Sequence, residues 1–173
     1  MAITLIIFFV LVLLDQLSKL FTEYYLALNS TYEFIPNCLY FTKVYNKGAA
    51  WSMFEDTTII LVIISFVATI ILGYMCSKND WKKAKISSLS LTLAFAGCVG
   101  NFFDRLISVI PGLSEYRPGV VDMIIFKPFD WLCTALNLGT TVFNVADMYL
   151  VIGLIIFAID YIFLAERRAK KNG

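Results

Sequence analysis

The chain of 173 residues is 60% hydrophobic and only 16% charged, with 15 Phe, 9 Tyr and 3 Trp, and its mean hydropathy is +0.78; a chain this apolar is no soluble domain. Its 14 basic and 13 acidic residues leave a net charge of +1, too weak a field to steer nucleic acid onto it. With no histidine present, imidazole-based triads and the H-E-x-x-H zinc site are excluded, and the catalytic options contract to carboxylates, Lys, Tyr, Cys and Ser.

Residues 1–14 carry no charge, and apolar character resumes beyond Asp15 and Lys19. This predicts a first membrane span over about 2–25, since a helix needs about 20 residues to cross the hydrocarbon core. A cleaved signal peptide would open on basic residues and close on a small-residue site. Here Met-Ala-Ile-Thr opens the chain and the apolar run leads into DQLSK, so the helix reads as retained. Asp15 and Lys19, spaced i, i+4, share one helix face about 6 Å apart along the axis. They form either a plain ion pair or part of a site.

The segment 26–56 follows as a loop. Within it YEFIPNCLYFTKVYN is dense in Tyr, Phe, Val and Thr, with a turn signal at Pro36-Asn37, the pattern of short strands. Residues 57–77 are 21 consecutive uncharged positions and predict the second span. The third is predicted over 86–106. There GCVGNFFDR sets Asn101, Asp104 and Arg105 at i, i+3 and i+4, with Gly97 and Gly100 allowing close approach. The glycines alone would suit a helix-packing seam, but the polar side chains favour a network.

The loop 107–141 carries turns at Pro111-Gly112 and Pro118-Gly119 and then the β-branched run Val120 to Phe126. Asp122, in the middle of that run, is out of pattern. A fourth span is predicted over 142–164, with Asn144 and Asp147 at i, i+3 in its first turns and Asp160 near its far end, read as structural. Tyr24, Tyr25, Trp51, Phe129, Trp131 and Phe143 are expected at the membrane interface. Cys38, Cys76, Cys98 and Cys133 form no C-x-x-C pair, so no zinc knuckle or redox motif is available; Cys38 and Cys133 lie where they could pair if that side is oxidising.

Segments 77–85 and 165–173 hold 8 basic residues in 18 positions, whereas 22–56 and 105–141 hold 5 in 72, namely Lys43, Lys47, Arg105, Arg117 and Lys127. By the positive-inside rule both termini are cytoplasmic and the two long loops face outward. The fold class expected is a mainly α membrane protein: a single integral membrane domain over 1–173, with four transmembrane helices and a small extracytoplasmic β-sheet on the outer face.

Ionised groups inside a span cost about 2.5–3.5 kcal/mol each on insertion scales, so each needs a partner or a function. Asp122 and Asp147 are expected at one depth on different elements. An acid/base dyad needs that arrangement, one carboxylate taking a proton from water while the other, protonated, polarises a carbonyl. Two ion-paired structural aspartates would carry the same spacing.

DQLSK (15–19), NKGAAW (46–51), GCVGNFFDR (97–105), VVD (120–122) and FNVAD (143–147) together resemble, in order and across nearly the whole chain, the five motifs of lipoprotein signal peptidase. That family, also called signal peptidase II, comprises bacterial membrane aspartyl peptidases. The resemblance implies four helices with a β-cradle on the outer face of the cytoplasmic membrane. It implies catalytic Asp122 and Asp147, supported by Asp15, Lys19, Asn46, Gly48, Gly97, Asn101, Asp104, Arg105 and Asn144. The reaction it implies is removal of the signal peptide from diacylglyceryl-modified prolipoproteins, before the lipidated cysteine, without metal or cofactor. It further implies contact with membrane lipid and inhibition by globomycin-type cyclic peptides.

Two departures stand out: the stretches 104–120 and 126–142 are longer than is usual in that family, and the first glycine of its Gly-Gly pair is Ala96. A proton-coupled carrier with Asp15, Asp104 and Asp147 as relay sites is the alternative. It would need acidic groups near the midplane and reachable from both faces. A membrane scaffold, the third reading, leaves the polar faces of three helices unexplained.

Overall fold

A computed structural model describes residues 2–48, 58–136 and 140–163. Ala49, Ala50 and Trp51 of NKGAAW, and the basic residues Arg167, Arg168, Lys170 and Lys171, lie outside the described residues. The elements run α1 (Ala2–Tyr25), β1 (Thr31–Ile35), β2 (Leu39–Asn46), α2 (Thr58–Lys78), α3 (Lys85–Val109), β3 (Val120–Phe126), α4 (Asp130–Ala135), β4 (Val142–Phe143) and α5 (Val145–Phe163). Of these, α1, α2, α3 and α5 are long and apolar enough to cross a membrane, and the chain is a multi-pass membrane protein.

The helix sequences explain which one is central. α3 is the least apolar of the four and the most buried, because Ser, Ala and Gly along it leave room for neighbours on several sides. Small residues permit the close backbone approach on which helix association in lipid depends. Leu72 and Cys76 of α2 meet Leu91, Ala94 and Cys98 of α3, with Phe95, Leu150 and Phe157 packed around them. The outward residues of α1, α2 and α5, such as Ile6, Phe9, Ile63, Ile70, Ile155 and Ile162, are exposed, as lipid-facing positions must be when every backbone bond is satisfied within the helix.

All four strands form one antiparallel sheet in the order β1-β2-β3-β4. The turn joining β1 to β2 takes Asn37 into the left-handed region at φ 54°, a conformation that Asn tolerates well. Neither β4 nor α4 is among the sequence expectations. The first is only two residues long, and the second lies in what reads as a loop. All four cysteines are free. The pairing of Cys38 with Cys133 does not form, and Cys133 instead sits 3.5 Å from Thr141 Oγ1. Among the expected interface aromatics, Tyr24, Tyr25, Phe129 and Trp131 are exposed, whereas Phe143 pairs with Ile124 in the sheet.

Candidate active site

β3 carries Asp122 into the interior between buried Val121 and Met123, leaving it 3% exposed. In the β2–β3 register Asp122 faces Val44, so Asn46, two residues along β2, lies on the same face within diagonal reach. Its Nδ2 donates to Asp122 Oδ2 at 3.0 Å, and the Gly48 N–H donates to Asn46 Oδ1 at 3.1 Å. The glycine amide thereby fixes which end of the Asn46 amide faces the carboxylate.

Asp147 is placed by the start of α5. Asn144 precedes the helix, and its Oδ1 accepts the Asp147 N–H at 2.9 Å while the Asn144 N–H donates to Asp147 Oδ2 at 3.0 Å. This reciprocal pair is a capping box built from Asn and Asp, so the hydrogen bonds that start the helix also orient the Asp147 carboxylate. An acidic group in the first turn also suits the positive end of the helix dipole. The next free amide, Ala146 N–H, donates to Asp15 Oδ1 at 3.0 Å.

Asn144 completes the link between the two carboxylates. Its Nδ2 donates to Asp122 Oδ1 at 2.7 Å and to Asn101 Oδ1 at 3.0 Å, and Asn101 Nδ2 donates to Asp147 Oδ1 at 2.7 Å. Lys19, fully buried, supports the far side. Its Nζ lies 2.9 Å from Asp15 Oδ2 and 2.8 Å from Asp104 Oδ2, and donates to Asn101 Oδ1 at 3.2 Å. An ammonium has three protons to place, and each has an oxygen nearby.

Two glycines make this approach possible. A Cβ at Gly97 would collide with the Ala146 carbonyl oxygen and stand 2.7 Å from Leu150 N; at Gly100 it would lie 2.5 Å from Asp15 Oδ2. The glycines of the third motif therefore let α1 and α5 close onto α3 at the depth of the carboxylates.

The structure thus joins Asp122, Asp147, Asp15, Lys19, Asn46, Gly48, Asn101, Asp104 and Asn144 in one network, with Gly97 at its edge. Among the described residues, Arg105 makes no contact with it. Successive helical residues turn by about 100°, so Asp104 and Arg105 fall on opposite flanks of Asn101. The Asp104 side is buried, while Arg105 is half-buried. Asp104 is balanced instead by Lys19 and by Arg117, whose Nη1 donates to Asp104 Oδ1 at 2.8 Å. Arg117 also engages Glu23 and Gln16. Sequence reasoning reaches none of these three as site residues; Arg117 enters it only in the charge balance of the long loops.

Burial, with Asp147 close by, pushes the Asp122 carboxyl up to about 7. Near neutral pH it therefore retains a proton to donate, while the second carboxyl stands beside it. Between α1 and the sheet opens an apolar cavity of about 420 Å³, lined by Phe21, Leu26, Phe34, Phe41, Met123 and Val145 among others, of which Met123 follows Asp122 in the chain and Val145 follows Asn144. Among the described residues no three Cys, Asp or Glu side chains are grouped to hold a metal ion. The carrier reading finds no support in the geometry. Asp15, Asp104 and Asp147 gather at the sheet end, and Asp160 stands 13 residues beyond Asp147, about 20 Å along the helix axis.

Residues 7–163 match the family model described as Signal peptidase (SPase) II. A protein of Enterococcus faecalis named lipoprotein signal peptidase is 39% identical over 94% of this chain and 90% of its own length. One of Fusobacterium nucleatum with the same name is 29% identical over 98% and 92%. Among solved structures, a bacterial membrane enzyme determined by the in meso method at 1.9 Å resolution superposes with a TM-score of 0.76 at 28% identity, covering 95% of this chain and 96% of the other.

Proposed function

This chain belongs to the signal peptidase II family, and from that premise we propose how it works: it removes signal peptides from prolipoproteins as an aspartyl endopeptidase, with Asp122 and Asp147 as its catalytic pair. The observation that carries the assignment is Asn144, which donates to Asp122 through its side chain and to Asp147 through its main chain. Two adjacent carboxyls held by one residue, Asp122 buried and Asp147 half-buried, share a proton more readily than they hold two negative charges.

In the reaction, the ionised member of the pair takes a proton from a water as its oxygen attacks the scissile carbonyl. The protonated member donates to the carbonyl oxygen, which becomes the hydroxyl of the tetrahedral intermediate. Collapse re-forms the carbonyl, breaks the C–N bond and delivers a proton to the departing amine. Asn46, Asn101 and Asn144 hold the two side chains in register, and Lys19 with Asp15 and Asp104 holds the helices that bear them. Orientation of this kind lowers the barrier because the reacting groups are already aligned.

The substrate is a prolipoprotein carrying diacylglyceryl on the cysteine that follows the cut. Its signal peptide is itself an apolar helix ending at the membrane surface, and the cavity beside Met123 and Val145 offers its acyl chains an apolar wall next to the dyad. In this reading the protein sits in the bacterial cytoplasmic membrane, and the distribution of basic residues supports an orientation with both termini cytoplasmic and the sheet end outward. Globomycin-type cyclic peptides compete for the same site.

The test is to incubate the purified protein with lipidated and non-lipidated precursor, with and without globomycin. Cleavage confined to the lipidated form and abolished by globomycin is the expected result. Equal cleavage of both forms, or of neither, contradicts the reading.

A further inference from the structure

Arg117 is buried to 7% exposure in the loop between α3 and β3, five residues before Asp122. Its guanidinium reaches three directions at once. Nη1 donates to Asp104 Oδ1 on α3 at 2.8 Å and to Gln16 Oε1 on α1 at 3.3 Å, while Nε and Nη2 grip both oxygens of Glu23 at the end of α1. Glu23 Oε1 in turn accepts the Tyr45 hydroxyl at 3.4 Å, and Tyr45 precedes Asn46, the residue that holds Asp122. Gln16 donates onward to Asp15 Oδ2 and to the Gly100 carbonyl.

Two routes therefore run from this side chain to the two carboxylates. One is covalent, from Arg117 through Val120 into β3 and Asp122. The other passes from Asp104 to Lys19 at 2.8 Å, from Lys19 to Asn101 at 3.2 Å and from Asn101 to Asp147 at 2.7 Å. Building on the peptidase reading, we propose that Arg117 is a positioning residue that sets the separation of Asp122 and Asp147 by fixing the entry of β3 against α1 and α3.

The planar fork is what the position requires. Lysine offers the same charge but only a single point of attachment, and could not engage Glu23 through two nitrogens while also reaching Asp104. Neutral replacement leaves Asp15, Asp104 and Glu23 with Lys19 as their remaining cation in the network, drawing the ammonium off Asn101 and loosening Asp147. A mere staple for the loop would act differently, lowering thermal stability or raising KM while leaving the chemical step of folded enzyme alone.

The experiment uses the full chain in lipid with a lipidated precursor, comparing wild type with Arg117→Lys, Arg117→Met and Glu23→Gln. The expected result for Arg117→Lys is a kcat lowered about tenfold or more with KM within about twofold, on the scale by which small misplacements cost rate, and a displaced alkaline limb of the pH profile. Arg117→Met loses more and Glu23→Gln less. Wild-type kcat and an unmoved limb in folded Arg117→Lys overturn the proposal, as does a loss confined to KM or to the thermal midpoint. If Arg117→Met does not fold, the other two variants decide the matter by the same criteria. A wild-type protein that leaves the precursor uncut overturns the peptidase reading itself, and this inference with it, before any variant is compared.

Discussion

The side-chain amide of Asn144 donates to Asp122 Oδ1 across 2.7 Å, tying the cap of a membrane helix to β3, an inner strand of the sheet. That single bond makes the height of the strand depend on the start of the helix. Asn144 is fully buried, and so are two of its partners, Asp122 and Asn101, so its truncation takes a hydrogen bond from groups with little access to solvent.

Asn144→Ala removes donors to Asp122 and Asn101 and the acceptor for the Asp147 N–H. Each buried polar group left unpaired costs about 1–3 kcal/mol, so the thermal midpoint falls. Cleavage falls by about a hundredfold or more, because both carboxyls lose their alignment. A folded Asn144→Ala protein with wild-type kcat would count against the shared support.

Asp122 titrates at about 7 rather than the ordinary 3.8, through burial first and Asp147 second. Between those two values it is protonated in the folded chain and ionised in the unfolded one. Its contribution to stability is therefore complete at the acidic end and is lost as pH rises toward 7. In the proposed mechanism activity follows the same proton: once the pair is stripped of it, nothing polarises the carbonyl. The log of kcat/KM should fall about one unit per pH unit on the alkaline side of a midpoint near 7. A profile that stays level or climbs from pH 7 to 9 contradicts the assignment.

Lys19→Met keeps most of the side-chain volume but leaves Asp15 and Asp104 facing each other without their shared cation. Breaking a buried ion pair from one side costs about 3–5 kcal/mol, and the Asn101 support of Asp147 goes with it. Unfolding in a detergent titration should come markedly earlier than for wild type, with cleavage reduced in the fraction still folded. Unchanged stability and activity would show that the ammonium is incidental.

Gly97→Ala adds a single methyl where the Ala146 carbonyl and the Leu150 amide already stand. Overpacking costs about 1–3 kcal/mol, and the strain falls on the first turns of α5, where Asp147 sits. Ala at a nearby face that meets lipid, such as Ile155→Ala, supplies the control. Activity loss at Gly97 well beyond that of the control is expected, and equal effects would refute the close-packing role.

Much of this was legible in the residues because membrane sequences advertise what does not belong in them. Uncharged runs mark the four helices, and among the exceptions Asp15, Lys19, Asn101, Asp104 and Asp147 mark the candidate site, Asp160 standing apart from it. Asp122 stood out for the same reason within a β-branched run. What the sequence could not convey was direction within a network. Arg105 follows Asp104 and looks like its partner, yet the helical turn carries it to the other flank, and the cations that pair with Asp104 come from Lys19 on α1 and from Arg117 at the far end of a loop. Contacts between distant segments leave no periodic trace, whereas the Asn144-x-x-Asp147 cap is local and could have been read from its spacing.

The most direct measurement is cleavage of a lipidated precursor by Asp122→Asn and by Asp147→Asn, each first shown to insert and fold as wild type does. The dyad predicts that both lose turnover to background while still binding globomycin-type peptide. Wild-type turnover by either variant would contradict it.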